Sequence, residues 1–345
     1  MTTRKNFGKI STGEEAFLYT LKAGSIQLDV TDLGATWVNL CFNGTDILLG
    51  YDNASQYESS TGYFGAVVGR VGNRIGNASF TLNGTAYTLE SNEGTNSLHG
   101  GFHGYNKRIW STAGVSDDGR KITFSLHSPS GDQGYPGNLD LSVTYEVNDN
   151  NEILTTYTAK SDQDTLCNPT NHSYFNLNGT SSKVNIENHI MKIDADKYLD
   201  VDEKLLPKGS PSDVAGTPFD FREAKAIGQD IAADDSQITL AGGYDHNYVL
   251  NSNENINHDV IEVFSPITAI CMKIATTMPG VQFYAGNKIS NRTGKNGDIY
   301  TKRSGFAFET QFFPDSIHHS EYPSVILRHG EEKKYLTRYT FLIKK

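Results

Sequence analysis

Alternation of polar and apolar residues with a period of two runs through most of this chain, and it restricts the fold more than any other feature. It is clearest in SFTLNGTAYTLE (79–90), where two alternating runs meet at Asn83-Gly84. Both central residues tolerate positive φ, as a tight two-residue turn requires, so the stretch predicts a β-hairpin. LSVTYEVNDNNEILTTYTAK (141–160) repeats the pattern around a longer polar turn. KITFSLHS (121–128), HIMKIDADKYLDV (189–201), VIEVFS (260–265), AICMKIATT (269–277) and VQFYAG (281–286) predict further strands. The best helical candidate, 221–231 after Pro218, is short. Abundant turn formers and aromatics (33 Gly, 18 Tyr, 17 Phe) suit many short strands.

Strands without βαβ alternation imply an all-β fold, a large antiparallel β-sandwich rather than a doubly wound sheet. The 345 residues would accommodate two average domains. With no composition break, low-complexity tract or repeat, one domain spanning 1–345 is expected. In such a sandwich a ligand site lies on a concave sheet face or at a rim, built by strands distant in sequence.

The formal net charge of −10 disfavours nucleic acids and anionic membranes as partners, but not a neutral substrate. No stretch approaches the roughly 20 apolar residues of a membrane span, and MTTRKNFGKISTGEEAF holds no signal-peptide-like run. Three separated cysteines (Cys41, Cys167, Cys271) read as reduced thiols. The seven Asn-x-Ser/Thr sequons then reflect an Asn- and Gly-rich turn vocabulary, and the expected location is cytoplasmic.

Four stretches break the alternation with polar or ionisable groups. VGRVGNRIGN (68–77) carries Arg70, Asn73 and Arg74, but its glycines miss the dinucleotide spacing and no helix follows. Taken alone it reads as a surface turn with solvated arginines. In TNSLHGGFHGYNKRIW (95–110), His99 and His103 have a zinc-like spacing, yet the intervening glycines disfavour a helix and no Glu follows. A metal site is therefore not expected, and His99 could instead donate to a ligand oxygen. NPTNHSYFNL (168–177) sets His172 among Asn168 and Asn171, which can fix backbone, and Tyr174 and Phe175, which can wall a pocket. Finally come GGYDHNYVL (242–250), with Asp245, and GFAFETQFFPD (305–315). In the latter, Glu309 shares a strand face with Ala307 and Gln311, not with the phenylalanines. That parity fits a wet outer face or a polar cleft, and in a cleft burial would raise its pKa toward the range of a base.

In order and spacing, GRVGNRIG, NSLHGG with KRIW, GYPGNL, NPTNHSYFNL, YDHNYVL, GVQFYAGN and FETQFFPDSI resemble the galactose mutarotases, or aldose 1-epimerases. The resemblance runs from near residue 34 to the end. It implies an antiparallel β-sandwich with a sugar cleft on one sheet, Glu309 as general base and His172 as general acid. It further implies that His99, Arg74 and Asp245 contact the sugar, with Asn73, Tyr174 and Gln282 as lesser contacts. One departure is glycine at 72 and 76, where many relatives have alanine.

The implied reaction suits these residue types. A hexopyranose such as D-galactose or D-glucose inverts at C1 by opening to the aldehyde, rotating about C1–C2, and closing again. A carboxylate takes the proton of the C1 hydroxyl while an imidazolium delivers one to the ring oxygen. Neither a cofactor nor a metal has a task. The polar neighbours of His172 are then expected to hold its ring orientation, and the aromatics to shape the pocket. Alternatives are a glycoside hydrolase using Glu309 and Asp245, a non-catalytic sugar-binding or regulatory module, and a phosphorylated hexose as substrate. The last would call for extra cationic residues at the cleft.

Overall fold

The alternation is realised where it is longest. Leu139–Val147 and Glu152–Ser161 pair from Leu139 opposite Ser161 to Val147 opposite Ile153, and burial alternates along both. The computed structural model describes residues 3–344 and places this pair in a nine-stranded sheet. Glu332–Ile343 lies at its centre, between Glu152–Ser161 and Ile270–Thr276, and all three run antiparallel. A second, six-stranded sheet runs in the order Tyr174–Phe175, Phe306–Gln311, Gly280–Tyr284, Asp245–Val249, Lys197–Tyr198, Ser212–Asp213. The N-terminal strands from Thr3 to Asp46 form a five-stranded meander.

The core lies between the nine-stranded sheet on one side and the other two on the other. Trp37 of the meander sits 5.7 Å from Tyr145 and 5.2 Å from Tyr339, both on the large sheet. Phe175 of the six-stranded sheet reaches the same Tyr339 at 5.9 Å. One continuous buried cluster contains residues from all three sheets, so the architecture is the expected antiparallel sandwich.

The Asn83-Gly84 hairpin forms between Ser79–Leu82 and Thr85–Thr88, with φ of 51° and 79° at the two turn residues. The 189–201 segment divides. Ile190–Ile193 joins the large sheet and Lys197–Tyr198 the smaller, so the chain changes layer between them. The helix expected over 221–231 is absent. Lys225–Ala226 instead adds an edge strand against Ile190–Met191, and Ile227 and Gly228 donate to the carbonyls of His189 and Glu187. Sheet pairing there satisfies backbone groups that a short isolated helix would leave open. Among the described residues the α-helices are short, Ala54–Ser59 and Ser236–Ala241. The second carries clear boundaries: Asp235 caps the amides of Gln237 and Ile238, and Gly242 ends it at φ 71°.

All three cysteines are free thiols, with Cys167 and Cys271 buried. Among the described residues no helix is long and apolar enough to cross a membrane.

Candidate active site

Strand parity builds the floor of the site. In the six-stranded sheet Glu309 faces Gln282, which faces Asn247, and one step along Ala307 faces Tyr284, which faces Asp245. These residues share one side of the sheet. Their neighbours Phe306, Phe308, Val281, Phe283 and Tyr248 point the other way and are buried in the sandwich core. Phe283 and Phe308 stack there at 5.3 Å. The core thus anchors the strands while Glu309, Asp245 and Tyr284 face a cavity of about 220 Å³. Glu309 is 2% exposed, which rules out the wet outer face and leaves the cleft.

Three loops close over this floor. Asn168 and Asn171 do fix backbone: Asn168 accepts from the Phe312 amide at 3.0 Å, and Asn171 donates to Gly65 O at 2.8 Å. Their segment pairs with Val67–Val68 and presents His172, whose Nε2 lies 3.5 Å from Glu309 Oε1. The ring is not held as expected. Its Nδ1 has no hydrogen-bond partner among the described residues, and the ring lies instead between Tyr174 (4.9 Å, 24°) and Tyr63 (5.8 Å, 21°). The asparagines set the backbone and the aromatics set the ring.

The 68–77 stretch is not a solvated surface turn. Arg70 and Arg74 are 1% and 6% exposed. Arg70 donates to Pro136 O, Gly137 O, Thr165 Oγ1 and Ser128, tying those loops together away from the cleft. Arg74 lines the cleft and is forked onto Glu93, Nε to Oε2 at 2.6 Å and Nη2 to Oε1 at 2.8 Å. Glycine at 72 suits this packing, since a Cβ there would lie 2.9 Å from Thr170 Cγ2.

His99 sits at φ 53° and is bound reciprocally to Asn73. It donates its amide to Asn73 O and accepts the Asn73 amide on Nδ1, both at 3.0 Å. Gly100 lets this loop cross the 69–70 backbone, since a Cβ there would collide with Gly69 O. With the Nδ1 lone pair engaged, the neutral ring carries its proton on Nε2.

Asn73, Arg74, His99, His172, Tyr174, Asp245 and Glu309 therefore share one cavity wall. Gln282 is the exception: buried beside Glu309, it does not line the cavity but donates to Asp245 Oδ1 at 2.8 Å. The wall also holds Tyr63, Glu93, Tyr284, Lys288 and Arg292, none of them in the polar stretches that stand out in the sequence as candidate site residues. Glu93 and Tyr63 sit on loops, where no periodicity marks a side chain as inward. Tyr284 lies within the VQFYAG strand, where its parity with Gln282 was the available signal.

Burial dominates the electrostatics. Desolvation raises the Glu309 carboxyl to about 8, with the Asp245 charge adding and Arg74 opposing. The same burial lowers His172 to about 4 and holds His99 well below the ordinary imidazole range. Between these limits the Glu309–His172 pair carries one proton in total. His99, His172 and Glu309 also bring possible ligand atoms within 4.8 Å of one another. Ligation through His99 would cost its bond to the Asn73 amide or the Nε2 proton, so the donor set is poor for a cation.

A family model described as aldose 1-epimerase matches residues 18–340. The chain belongs to the aldose 1-epimerase family. Among relatives of this family it is 38% identical to galactose mutarotase of Homo sapiens, over 99% of this chain and 98% of that protein. It is 39% identical to aldose 1-epimerase of Escherichia coli K12, over 96% of each chain. The solved structure of a galactose 1-epimerase from Lactobacillus acidophilus superposes with a TM-score of 0.89 at 28% identity, covering 100% of this chain and 99% of that one. An aldose epimerase homologue from C. elegans superposes at 0.87 with 29% identity, over 96% and 100% of the two chains.

Proposed function

We propose that this protein is an isomerase that interconverts the α and β anomers of free hexoses, D-galactose and D-glucose, with Glu309 as base and His172 as acid. The observation that carries the assignment is the 3.5 Å approach of His172 Nε2 to Glu309 Oε1 inside a buried cleft. The anomeric hydroxyl oxygen and the ring oxygen are both bonded to C1, so the groups serving them must lie close together. A single shared proton is also the required inventory. Glu309 as carboxylate takes the hydroxyl proton, His172 as imidazolium gives one to the ring oxygen, and the C1–O5 bond breaks to leave the aldehyde. After rotation about C1–C2 the same transfers run in reverse and the pair returns to its starting state.

The remaining residues bind. Arg74, fixed by Glu93 and with Nη1 donating to Asn73 Oδ1 at 3.5 Å, keeps the second Nη1 proton for a sugar hydroxyl, and His99 offers its Nε2 proton. Asp245, oriented by Gln282, accepts from hydroxyls. Tyr174, Tyr63 and Phe64 give the wall apolar surface for the sugar's C–H face.

The test is polarimetry of freshly dissolved α-D-galactose and α-D-glucose. The protein should speed the approach to anomeric equilibrium in proportion to its concentration. A disaccharide incubated alongside should remain intact, and release of monosaccharide would transfer Glu309 and Asp245 to a hydrolase. No acceleration with either hexose would refute the assignment.

A further inference from the structure

Asp315 does not line the cleft, yet it grips the segment that carries Arg74. Its amide donates to Arg74 O at 3.0 Å, and its Oδ1 accepts the Gly76 amide at 2.9 Å. One residue thus supplies a donor and an acceptor to one edge of Arg74–Ile75, whose other edge pairs with Ser97–Leu98. Asp315 is itself held. His318 Nδ1 donates to the same Oδ1 at 2.7 Å, and Ser316 Oγ donates to Phe313 O at 2.6 Å. Phe313 is buried against Tyr322, with ring centroids 5.3 Å apart. Asp315 is 8% exposed and takes φ 56°, a left-handed conformation that aspartate adopts more readily than most residues. Glycine at 76 leaves room for this contact, since a Cβ there would stand 3.1 Å from both Asp315 Oδ2 and Leu206 Cδ1.

The strand that carries Glu309, Phe306–Gln311, runs on through Phe312 to Asp315. Phe312 donates its amide to Asn168 Oδ1 at 3.0 Å, and Asn168 O accepts the Gly72 amide at 2.7 Å. The 72–76 segment is therefore braced at both ends, by Asn168 at Gly72 and by Asp315 at Arg74 and Gly76. Both braces lead back to the strand of the base. Glu93 orients the Arg74 guanidinium, whereas Asp315 ties the Arg74 backbone to the chain that presents Glu309. A displacement of about 1 Å in a group that grips substrate can cost about 10²-fold.

We propose that Asp315, oriented by His318, is a positioning residue that sets where Arg74 meets the sugar relative to Glu309. This rests on the anomerase reading of the cleft and adds a residue that no sugar touches. Arg74 grips the sugar in ground and transition states alike, so its misplacement falls on KM rather than on kcat.

The experiment is polarimetric kinetics with α-D-galactose for wild type, Asp315→Ala, Asp315→Asn, His318→Ala, Arg74→Gln and the Asp315→Ala, Arg74→Gln double variant. Asp315→Ala should raise KM about tenfold while kcat per folded molecule stays within about threefold of wild type. Asp315→Asn keeps an acceptor for the Gly76 amide and should bring KM back to within about threefold of wild type. On the Arg74→Gln background, Asp315→Ala should change kcat/KM by less than about twofold, because the guanidinium it positions is gone. A fall in kcat with KM unchanged, an Asn variant no better than Ala, or full multiplication of the two losses overturns the proposal and leaves the anomerase intact. If Asp315→Ala does not fold, His318→Ala decides, since that side chain is 36% exposed. It should raise KM about threefold, and an unchanged KM overturns the proposal. Should wild type turn over no hexose, the anomerase reading fails instead, and hydrogen exchange decides whether Asp315 holds the segment. The Ile75 amide, on the edge facing Ser97–Leu98, should then exchange at least about tenfold faster in Asp315→Ala, and an equal rate overturns the brace.

Discussion

His172 Nε2 stands 3.5 Å from Glu309 Oε1, although one residue comes from a loop paired with Val67–Val68 and the other from the middle of a sheet strand. Both are almost wholly buried, and among the described residues neither side chain makes a hydrogen bond to any third group. The fold therefore maintains an acid and a base in contact without spending either on structure.

If that pair performs the proton transfers, each member is needed separately. Glu309→Gln and His172→Ala should each lower kcat by at least about 10²-fold. Circular dichroism should show both variants folded. Near-normal turnover by either purified variant would reassign its role.

The pH dependence follows from the proton count. Below about 4 His172 gains a proton and the pair carries two, whereas above about 8 Glu309 loses its proton and the pair carries none. Turnover needs the one-proton state, and within it the share with the proton on the imidazole does not change with pH. A plot of kcat/KM against pH should be flat between these limits and fall on both sides. An acidic limb near 6.5, the ordinary imidazole value, would mean that burial does not control His172.

Burial of Glu309 has a stability cost with a definite sign. Its pKa is raised from 4.5 to about 8, so the folded chain keeps a proton that the unfolded chain releases. Stability is full below about 4.5 and is lost as pH rises through about 8. At about 1.4 kcal/mol per pH unit the loss reaches roughly 3 kcal/mol at pH 7. Glu309→Gln removes the titration, so the inactive variant should unfold at higher urea than wild type at pH 8, and at nearly the same urea at pH 4.5. A gap that does not widen with pH would remove this account.

These outcomes bear on what a sequence can disclose. The parity of Ala307, Glu309 and Gln311 was readable from FAFETQ, but whether that face was wet depended on the loops that cover it. Those loops carry no periodicity: Tyr63 sits at φ 56° and Glu93 lies in SNEGTN, and nothing local marks either as facing inward. Motif resemblance supplied His172, Arg74 and Asp245, because order and spacing survive where periodicity is absent. It left Gln282 as a sugar contact, while the structure puts it behind Asp245. The 221–231 segment forms no helix because its apolar residues, Phe221, Ile227 and Ile231, are buried in the sandwich core while Lys225–Ala226 pairs with Ile190–Met191.

Arg70 gives the sharpest contrast between local and tertiary reading. In VGRVGN it looks like a solvated turn residue, yet it is 1% exposed and spans three loops. Nη1 donates to Pro136 O at 2.8 Å, Gly137 O at 3.1 Å and Thr165 Oγ1 at 3.1 Å, and Nη2 to Ser128 Oγ at 2.7 Å. Arg70→Met would fill much of the same volume while orphaning these buried oxygens. A single buried polar group left unsatisfied costs about 1–3 kcal/mol, and here several are orphaned at once. The variant should therefore lose about 3–5 kcal/mol in urea unfolding, which is large against a typical total of about 5–15 kcal/mol. Because Arg70 does not line the cleft, activity per folded molecule at low temperature should stay within severalfold of wild type. A stable but inactive Arg70→Met would mean that Arg70 acts on the sugar, whereas a fully stable and active one would mean that its hydrogen bonds contribute nothing net to the fold.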